Sequence, residues 1–350
     1  MKIMMFKGHN PHFKDDTDTY AEGLTKLGHE VTKIIVQEKD DNLKCINMPK
    51  KEEILKMDVL WSPYERENIA ALGIRNHIQK KIPIVGHYEW APPWRTGVEE
   101  PRMWSYIMKP DDIRDFRKMY QALIPYWLSC DVITGIDEYS IGTIQALTST
   151  KIKNWKIKPY IIDDELLLSQ KDDTIKEKRQ ILSTARFVAH KKIHHVIFAL
   201  SLLKDPPPYK VIGGGKDLKQ IKDVAKKHNV NMEFVGRGQE DSKAKYIQES
   251  MFSVNIWAGL PIAESAIFKK PAITYEHPCS RAAAGDMATY VEWNNIKKLS
   301  YTIQKFIDDA DHRKAMGQRS YDTLINNKAG IYTTMEAAKR MEKILLEAIK

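Results

Sequence analysis

The chain has 350 residues, 43% of them hydrophobic and 29% charged, which fits roughly two domains of about 150 residues each and excludes disordered and collagen-like classes. Its three cysteines, Cys45, Cys130 and Cys279, show no CxxC or Cys/His spacing, so they read as structural thiols and not as a metal site or disulfide framework. A formal net charge of +9 attracts phosphate-bearing partners without choosing among nucleotides, nucleic acid and anionic lipid.

The opening MKIMMFKGHN has too short an apolar stretch for a secretory leader. No run elsewhere approaches the ~20 apolar residues that span a bilayer. No transmembrane segment and a cytoplasmic location are therefore expected.

From the amino end, MKIMMFKG, TYAEGLTKLGHEV and TKIIVQ read as strand, helix and strand, with Gly28 ending the helix. The pattern repeats in MDVLWS (57–62), ENIAALGIRNHIQKK and IPIVGHYEW (82–90). Residues 112–128 have helical spacing, CDVITGID (130–137) returns to strand, and WKIKPYIID (155–163) closes the first half. The charged stretch after LLLSQ reads as a solvated linker or helix, with the domain boundary near 165–178.

Beyond the boundary, strands are expected at 181–187, 209–215, 232–237, 251–257 and 271–276, with helices at 192–203, 216–228 and 240–250 between them. The tail YTTMEAAKRMEKILLEAIK has the apolar spacing of a terminal helix. Strands alternating with helices of this length predict parallel, doubly wound sheets in both halves, whose sites lie outside the carboxyl ends of the strands.

Four segments fall at such ends: Arg186 with Lys191, Gly213 to Gly215, Gly236, and Gly259 to Glu264. Glycines at strand exits let backbone amides approach a ligand, and adjacent helix amino-termini attract phosphate. Gly213-Gly214-Gly215 alone fits an ordinary tight turn equally well. Arg186 and Lys191 suit a pyrophosphate, Arg as a fork and Lys as a point charge. Pro261 suits a first helical turn, which would put Glu264 near a helix amino-terminus.

The order and spacing of these pieces resemble the retaining GT-B glycosyltransferases of glycosyltransferase family 4, also called glycosyl transferases group 1, over most of the chain. ILSTARFVAHKK is similar to the family's strand-Arg-turn-Lys segment, YKVIGGGKDL to its glycine-rich turn, MEFVGRGQEDSKAKYIQES to the strand-Gly-helix that follows, and IWAGLPIAESAIFKKPAITYE to its Glu-bearing signature. LGHEV, IPIVGHYEW, CDVITGIDEYS and IKPYIID match pieces of its first domain.

The resemblance implies two doubly wound Rossmann-like α/β domains facing across a cleft, with a C-terminal helix: 1–165 for the acceptor, 178–330 for the nucleotide-sugar donor and 331–350 for the helix. Arg186 and Lys191 would hold the donor diphosphate, Glu264 the ribose hydroxyls, and Gly215, Gly236, Gly259, Leu260 and Pro261 would line the donor pocket. His87 would face the donor sugar as a catalytic residue. Tyr88, Glu89 and Trp90 would line the acceptor side, the acceptor being a carbohydrate or another hydroxyl compound.

Two features depart from the family. Eight positions before Glu264, where a first Glu is expected, stands Ile256, followed by Trp257 in place of glycine; Asn255 is a candidate substitute. The loop HNPHFKDDTDT replaces a glycine pair, and Asp137 replaces a serine. Asp16-Thr17-Asp18 formally matches a metal-chelating Asp-x-Asp, but it stands just before a helix and suits capping. No metal and no cofactor are expected beyond the nucleotide sugar as co-substrate. The reading is a retaining, metal-independent hexosyltransferase-type enzyme. Its alternatives are a glycosyltransferase acting on modified bases of nucleic acid, a non-catalytic sugar-nucleotide-binding protein, and a sugar-nucleotide epimerase.

Overall fold

The computed structural model describes residues 1–8, 14–39, 42–64, 67–88, 125–138, 141–142, 145, 151–236, 240–257 and 259–350. The chain forms two compact units, the first made of Met1–Pro159 with Met335–Lys350 and the second of Tyr160–Thr334.

The first unit carries a seven-stranded sheet in the order β3-β2-β1-β4-β5-β6-β7. Its strands are β1 (Lys2–Gly8), β2 (Glu30–Lys39), β3 (Asn42–Ile46), β4 (Val59–Trp61), β5 (Ile84–Tyr88), β6 (Val132–Gly135) and β7 (Trp155–Ile157). All neighbours pair in parallel except β2 and β3, an antiparallel hairpin that the expectation of parallel strands did not include. The order reverses between β1 and β4, and β1 is buried over its central five residues because helices cover both faces of such a sheet. Gly28 stands just past the helix Asp16–Lys26 with φ +87, the left-handed terminator expected there.

The second unit carries a six-stranded parallel sheet, β11-β10-β9-β12-β13-β14. Its strands are β9 (Ile181–Thr184), β10 (Tyr209–Ile212), β11 (Met232–Gly236), β12 (Phe252–Val254), β13 (Ala272–Tyr275) and β14 (Ala288–Val291). Adjacent residues alternate between two cores: Ile181, Phe252 and Ile273 join the cluster with Val196, Leu200 and Phe306, whereas Leu182 and Ala272 join Ile247, Ala263 and Leu324. That alternation is the strand period of two, with apolar partners on both faces. The strand order reverses between β9 and β12, which places this unit's switch point there.

WKIKPYIID divides between the units. β7 closes the first sheet, while β8 (Tyr160–Ile162), beyond Pro159, pairs with β15 (Ile331–Thr333) in the second unit. The boundary therefore falls before residue 165. The stretch expected as linker begins with the helix Asp164–Ser169, and its later part is tied down within the second unit by Lys178 N to Glu249 O (2.7 Å) and Glu177 to Lys270 (2.7 Å).

The terminal helix Thr334–Ile349 is present as expected, but from Met335 on it belongs to the first unit. It is held there by Glu342 on His29 (2.7 Å) and Glu347 on Lys156 (2.5 Å). Among the described residues no helix is long and apolar enough to cross a membrane.

Close backbone approach sets one strong constraint outside the site. In the helix Ala310–Ile325, a Cβ on Gly317 would stand 1.9 Å from the carbonyl oxygen of Lys269. Gly317→Ala is expected to destabilise the protein by about 1–3 kcal/mol, read as a lowered urea midpoint at unchanged m-value.

Candidate functional site

The candidate site of the second unit gathers at the carboxyl ends of its strands. β9 runs into Arg186 and a short 3-10 turn, Ala189–Lys191, before the helix Ile193–Ser201. Arg186 is exposed and Lys191 half-buried, and neither has a carboxylate partner among the described residues. Burial pulls the Lys191 ammonium down to about 8, and the nearby Arg186 charge pushes the same way. Two cations are thus held close enough to repel.

The adjacent Lys192 is a different case. It is buried in the left-handed region (φ 47), donates to Asn294 Oδ1 at 2.7 Å and lies 5.0 Å over the Trp293 ring. Burial also pushes His194 down to about 4 and His195 to about 3, with the Lys192 charge contributing to both. Near neutral pH these imidazoles are uncharged, so positive charge on this turn comes from the lysines and Arg186.

The glycine run has a packing cause at two of its three positions. A Cβ on Gly213 would lie 2.0 Å from Ala185 O, and one on Gly215 would lie 2.4 Å from Phe187 O. These glycines seat the exit of β10 against the exit of β9, where Phe187 N donates to Gly214 O (2.9 Å) and Gly213 N to Gly236 O (3.0 Å). Gly236 itself has φ +90, a conformation that side chains rarely adopt. Gly259 differs from all three. Its backbone is extended, and a Cβ there would meet nothing nearer than Pro261 Cδ at 4.0 Å, so neither conformation nor packing of the chain requires glycine.

Glu264 lies in the helix Leu260–Ile267, with Pro261 in the first turn as expected. The carboxylate, however, is in the second turn, so the amino-terminal dipole is not its main partner. Lys243, from the helix Glu240–Glu249, donates to Glu264 Oε1 at 2.9 Å. The other oxygen, Oε2, is buried and has no hydrogen-bond partner among the described residues. Lys243 was not expected from sequence; it lies 21 residues from Glu264, and no motif links the two.

Asn255 and Ile256 resolve the departure from the family signature. Asn255 is buried and its Oδ1 accepts from Thr184 N at 3.0 Å, joining the ends of β9 and β12 at the switch point. Its side-chain oxygen is a structural latch here. Ile256 is 2% exposed and belongs to the core. Trp257 packs with His277 (ring centroids 5.0 Å) and Trp293 (5.8 Å), an aromatic group at the exits of β12, β13 and β14.

In the first unit, His87 on β5 is fully buried. Its Nδ1 is 2.9 Å from Thr134 Oγ1, whose single proton goes to Gly86 O (2.8 Å), so Nδ1 must be the donor and Nε2 the bare acceptor. Nε2 has no partner. Burial, and then the Lys158 charge, hold the imidazole well below its usual range. The catalytic role expected for His87 is narrowed accordingly: it is a neutral hydrogen-bond acceptor and a weak base. Glu89 and Trp90 lie outside the described residues.

The Asp-x-Asp residues are occupied by protein partners. Asp16, Thr17 and Asp18, expected just before the helix, instead form its first turn, and Asp15 is the cap, accepting from Thr17 N at 2.9 Å and Asp18 N at 3.2 Å. Asp18 is bound by Lys7 and by Lys33 (2.8 Å), and Asp16 by Tyr64 and Lys158 (3.6 Å).

Removing the Asn255 latch would leave the Thr184 amide without its partner at the junction of β9 and β12. Asn255→Ala is expected to cost about 1–3 kcal/mol of stability in equilibrium denaturation.

Residues 166–323 match the family model described as Glycosyl transferases group 1. No curated protein matches the chain. Among solved structures, sucrose-phosphate synthase from Thermosynechococcus elongatus is similar over 99% of this chain and 98% of its own, with TM-score 0.72 and 13% identity. Anabaena HepE in complex with UDP-glucose matches over 99% and 100%, with TM-score 0.70 and 10% identity. A glycosyltransferase from Rickettsia africae matches over 100% and 98%, with TM-score 0.69 and 13% identity. The chain therefore has the GT-B fold, and the stretch 166–323 that is similar to the group 1 glycosyl transferase model lies in its second unit and includes Arg186, Lys191, Lys243 and Glu264.

Proposed function

We propose that the protein is a retaining, metal-independent glycosyltransferase that moves a sugar from a nucleoside-diphosphate sugar to an acceptor hydroxyl, with the donor held on the second unit. The observation that carries this reading is the Arg186–Lys191 pair, two neighbouring cations at a strand exit with no carboxylate between them and one already losing its proton toward pH 8. Such a pair is relieved by an anion with several oxygens, and a diphosphate matches it in charge. The solved complex of HepE with UDP-glucose, on the same fold, makes UDP-sugars the first donors to test.

Around the diphosphate, Glu264 Oε2 is an acceptor suited to a ribose hydroxyl, and the open space at Gly259 lets a ligand approach the backbone. In the transfer step the anomeric carbon–oxygen bond to the diphosphate breaks, the acceptor oxygen bonds to that carbon on the same face, and the acceptor proton passes to the departing phosphate. Arg186 and Lys191 stabilise the charge that develops on that phosphate, a contribution of about 3–4 kcal/mol for one preorganised donor in comparable sites. The acceptor side, with His87, Glu89 and Trp90, is proposed on the resemblance, His87 serving as hydrogen-bond acceptor for a hydroxyl.

A panel of UDP-, GDP- and ADP-sugars, followed by calorimetric binding and by nucleotide release, tests the donor assignment. Arg186→Ala is expected to weaken donor binding about tenfold or more, and Glu264→Gln to weaken it less. Unchanged binding in both variants would show that the donor lies elsewhere. NMR of the anomeric proton of the product checks retention.

The Lys191 charge also predicts a pH profile. Below about 8 the ammonium is intact and affinity for nucleoside diphosphate is at its plateau; above it the free protein loses the proton that the complex needs, and affinity falls by up to about tenfold per pH unit. Lys191→Arg, which stays protonated throughout, is expected to flatten that fall in titrations between pH 7 and 10.

A further inference from the structure

Glu264 meets one cation and leaves one oxygen unmet, and that asymmetry has a chemical meaning. The helices Glu240–Glu249 and Leu260–Ile267 share one core cluster through Ala244, Ile247, Ile262, Ala263 and Ala266, so both side chains stand on fixed supports. Lys243 Nζ donates to Oε1 at 2.9 Å, with side chains only 19% and 11% exposed. The terminal torsion of a glutamate is soft and roughly two-fold, so anchoring Oε1 sets the plane of the carboxylate and hence the direction of Oε2.

Oε2 is enclosed and, among the described residues, without a donor. An enclosed acceptor left unmade is costly and rare in native proteins, which marks the place where a ligand donor belongs. Lys243 already supplies the positive charge, so what Oε2 lacks is a neutral hydrogen-bond donor and not a second cation or a metal ion. A sugar hydroxyl has that chemistry.

We propose that Lys243 is a positioning residue for nucleotide recognition: by holding Oε1 it presents Oε2 to a hydroxyl of the ribose, and it thereby sets the preference of the site for ribonucleotides over sugars lacking the 2′- and 3′-hydroxyls. The proposal rests on the nucleotide-sugar reading above and adds to it a residue outside the expected motif.

The test compares the ribonucleoside diphosphate that binds best among UDP, GDP and ADP with its 2′,3′-dideoxy analogue, by calorimetry, on the full chain and on Lys243→Met and Lys243→Arg. The full chain is expected to prefer the ribonucleotide about tenfold or more. In Lys243→Met that ratio should shrink toward one through loss of ribonucleotide affinity, with the dideoxy analogue and inorganic diphosphate bound within about twofold of the unmutated chain; Lys243→Arg should restore most of the ratio. Inorganic diphosphate binding also shows that the variant is folded.

A Lys243→Met protein that keeps the full ratio overturns the role of Lys243 while leaving the donor reading intact. Equal weakening of both nucleotides also overturns it, since that is a charge or folding effect without ribose selectivity. No ribose preference in the unmutated chain removes Glu264 from the ribose and the proposal with it, and no nucleotide binding at all sinks the donor reading itself.

Discussion

Electrostatic tension at the exit of β9 organises the second unit. Lys191 is half-buried beside Arg186, and the described residues offer neither of them a carboxylate, so the folded chain holds a repulsion that burial alone would resolve by shedding a proton. Folded proteins tolerate such an arrangement where something else offsets it, and perturbed groups in one place are a signature of function. The surrounding fold serves to keep these charges in place. Asn255 latches β12 to β9, and the glycine run brings the exit of β10 against Phe187 with no side chain between them.

The opposite treatment of two neighbouring lysines shows how local that control is. Lys192 is neutralised in effect by Asn294 and the Trp293 ring, whereas Lys191, one residue away, has neither. The 3-10 turn and the left-handed Lys192 send the two side chains to different surroundings. A similar division appears at Glu264, whose two oxygens have different fates: one is fixed by Lys243 and the other is left for a donor. Both features leave a specific, unfilled valence on otherwise satisfied scaffolding.

At the signature position the chain departs from the family pattern in substance. Ile256, where the resemblance implied a carboxylate, turns into the core, and Trp257, where it implied a glycine, packs against His277 and Trp293.

Much of this was legible in the sequence. Strand and helix periodicity placed β1, β2, β4 to β6, β9 to β13 and the terminal helix, because burial on one face or two imprints itself on every second or fourth residue. Arg186, Lys191 and Glu264 were singled out by their places at strand exits and by the family resemblance. Other features depended on residues distant in sequence. The hairpin strand β3, the division of WKIKPYIID between two sheets, the return of the last helix to the first unit and the partners Lys243, Thr184 and Thr134 all arise from pairings across tens of residues that leave no local pattern. Composition and periodicity by themselves determined the class of fold and most of its strands and helices. Only the tertiary structure decided which charges are paired, which are left open and which oxygen of Glu264 is free, because those are properties of three-dimensional neighbours and of the water that folding removes.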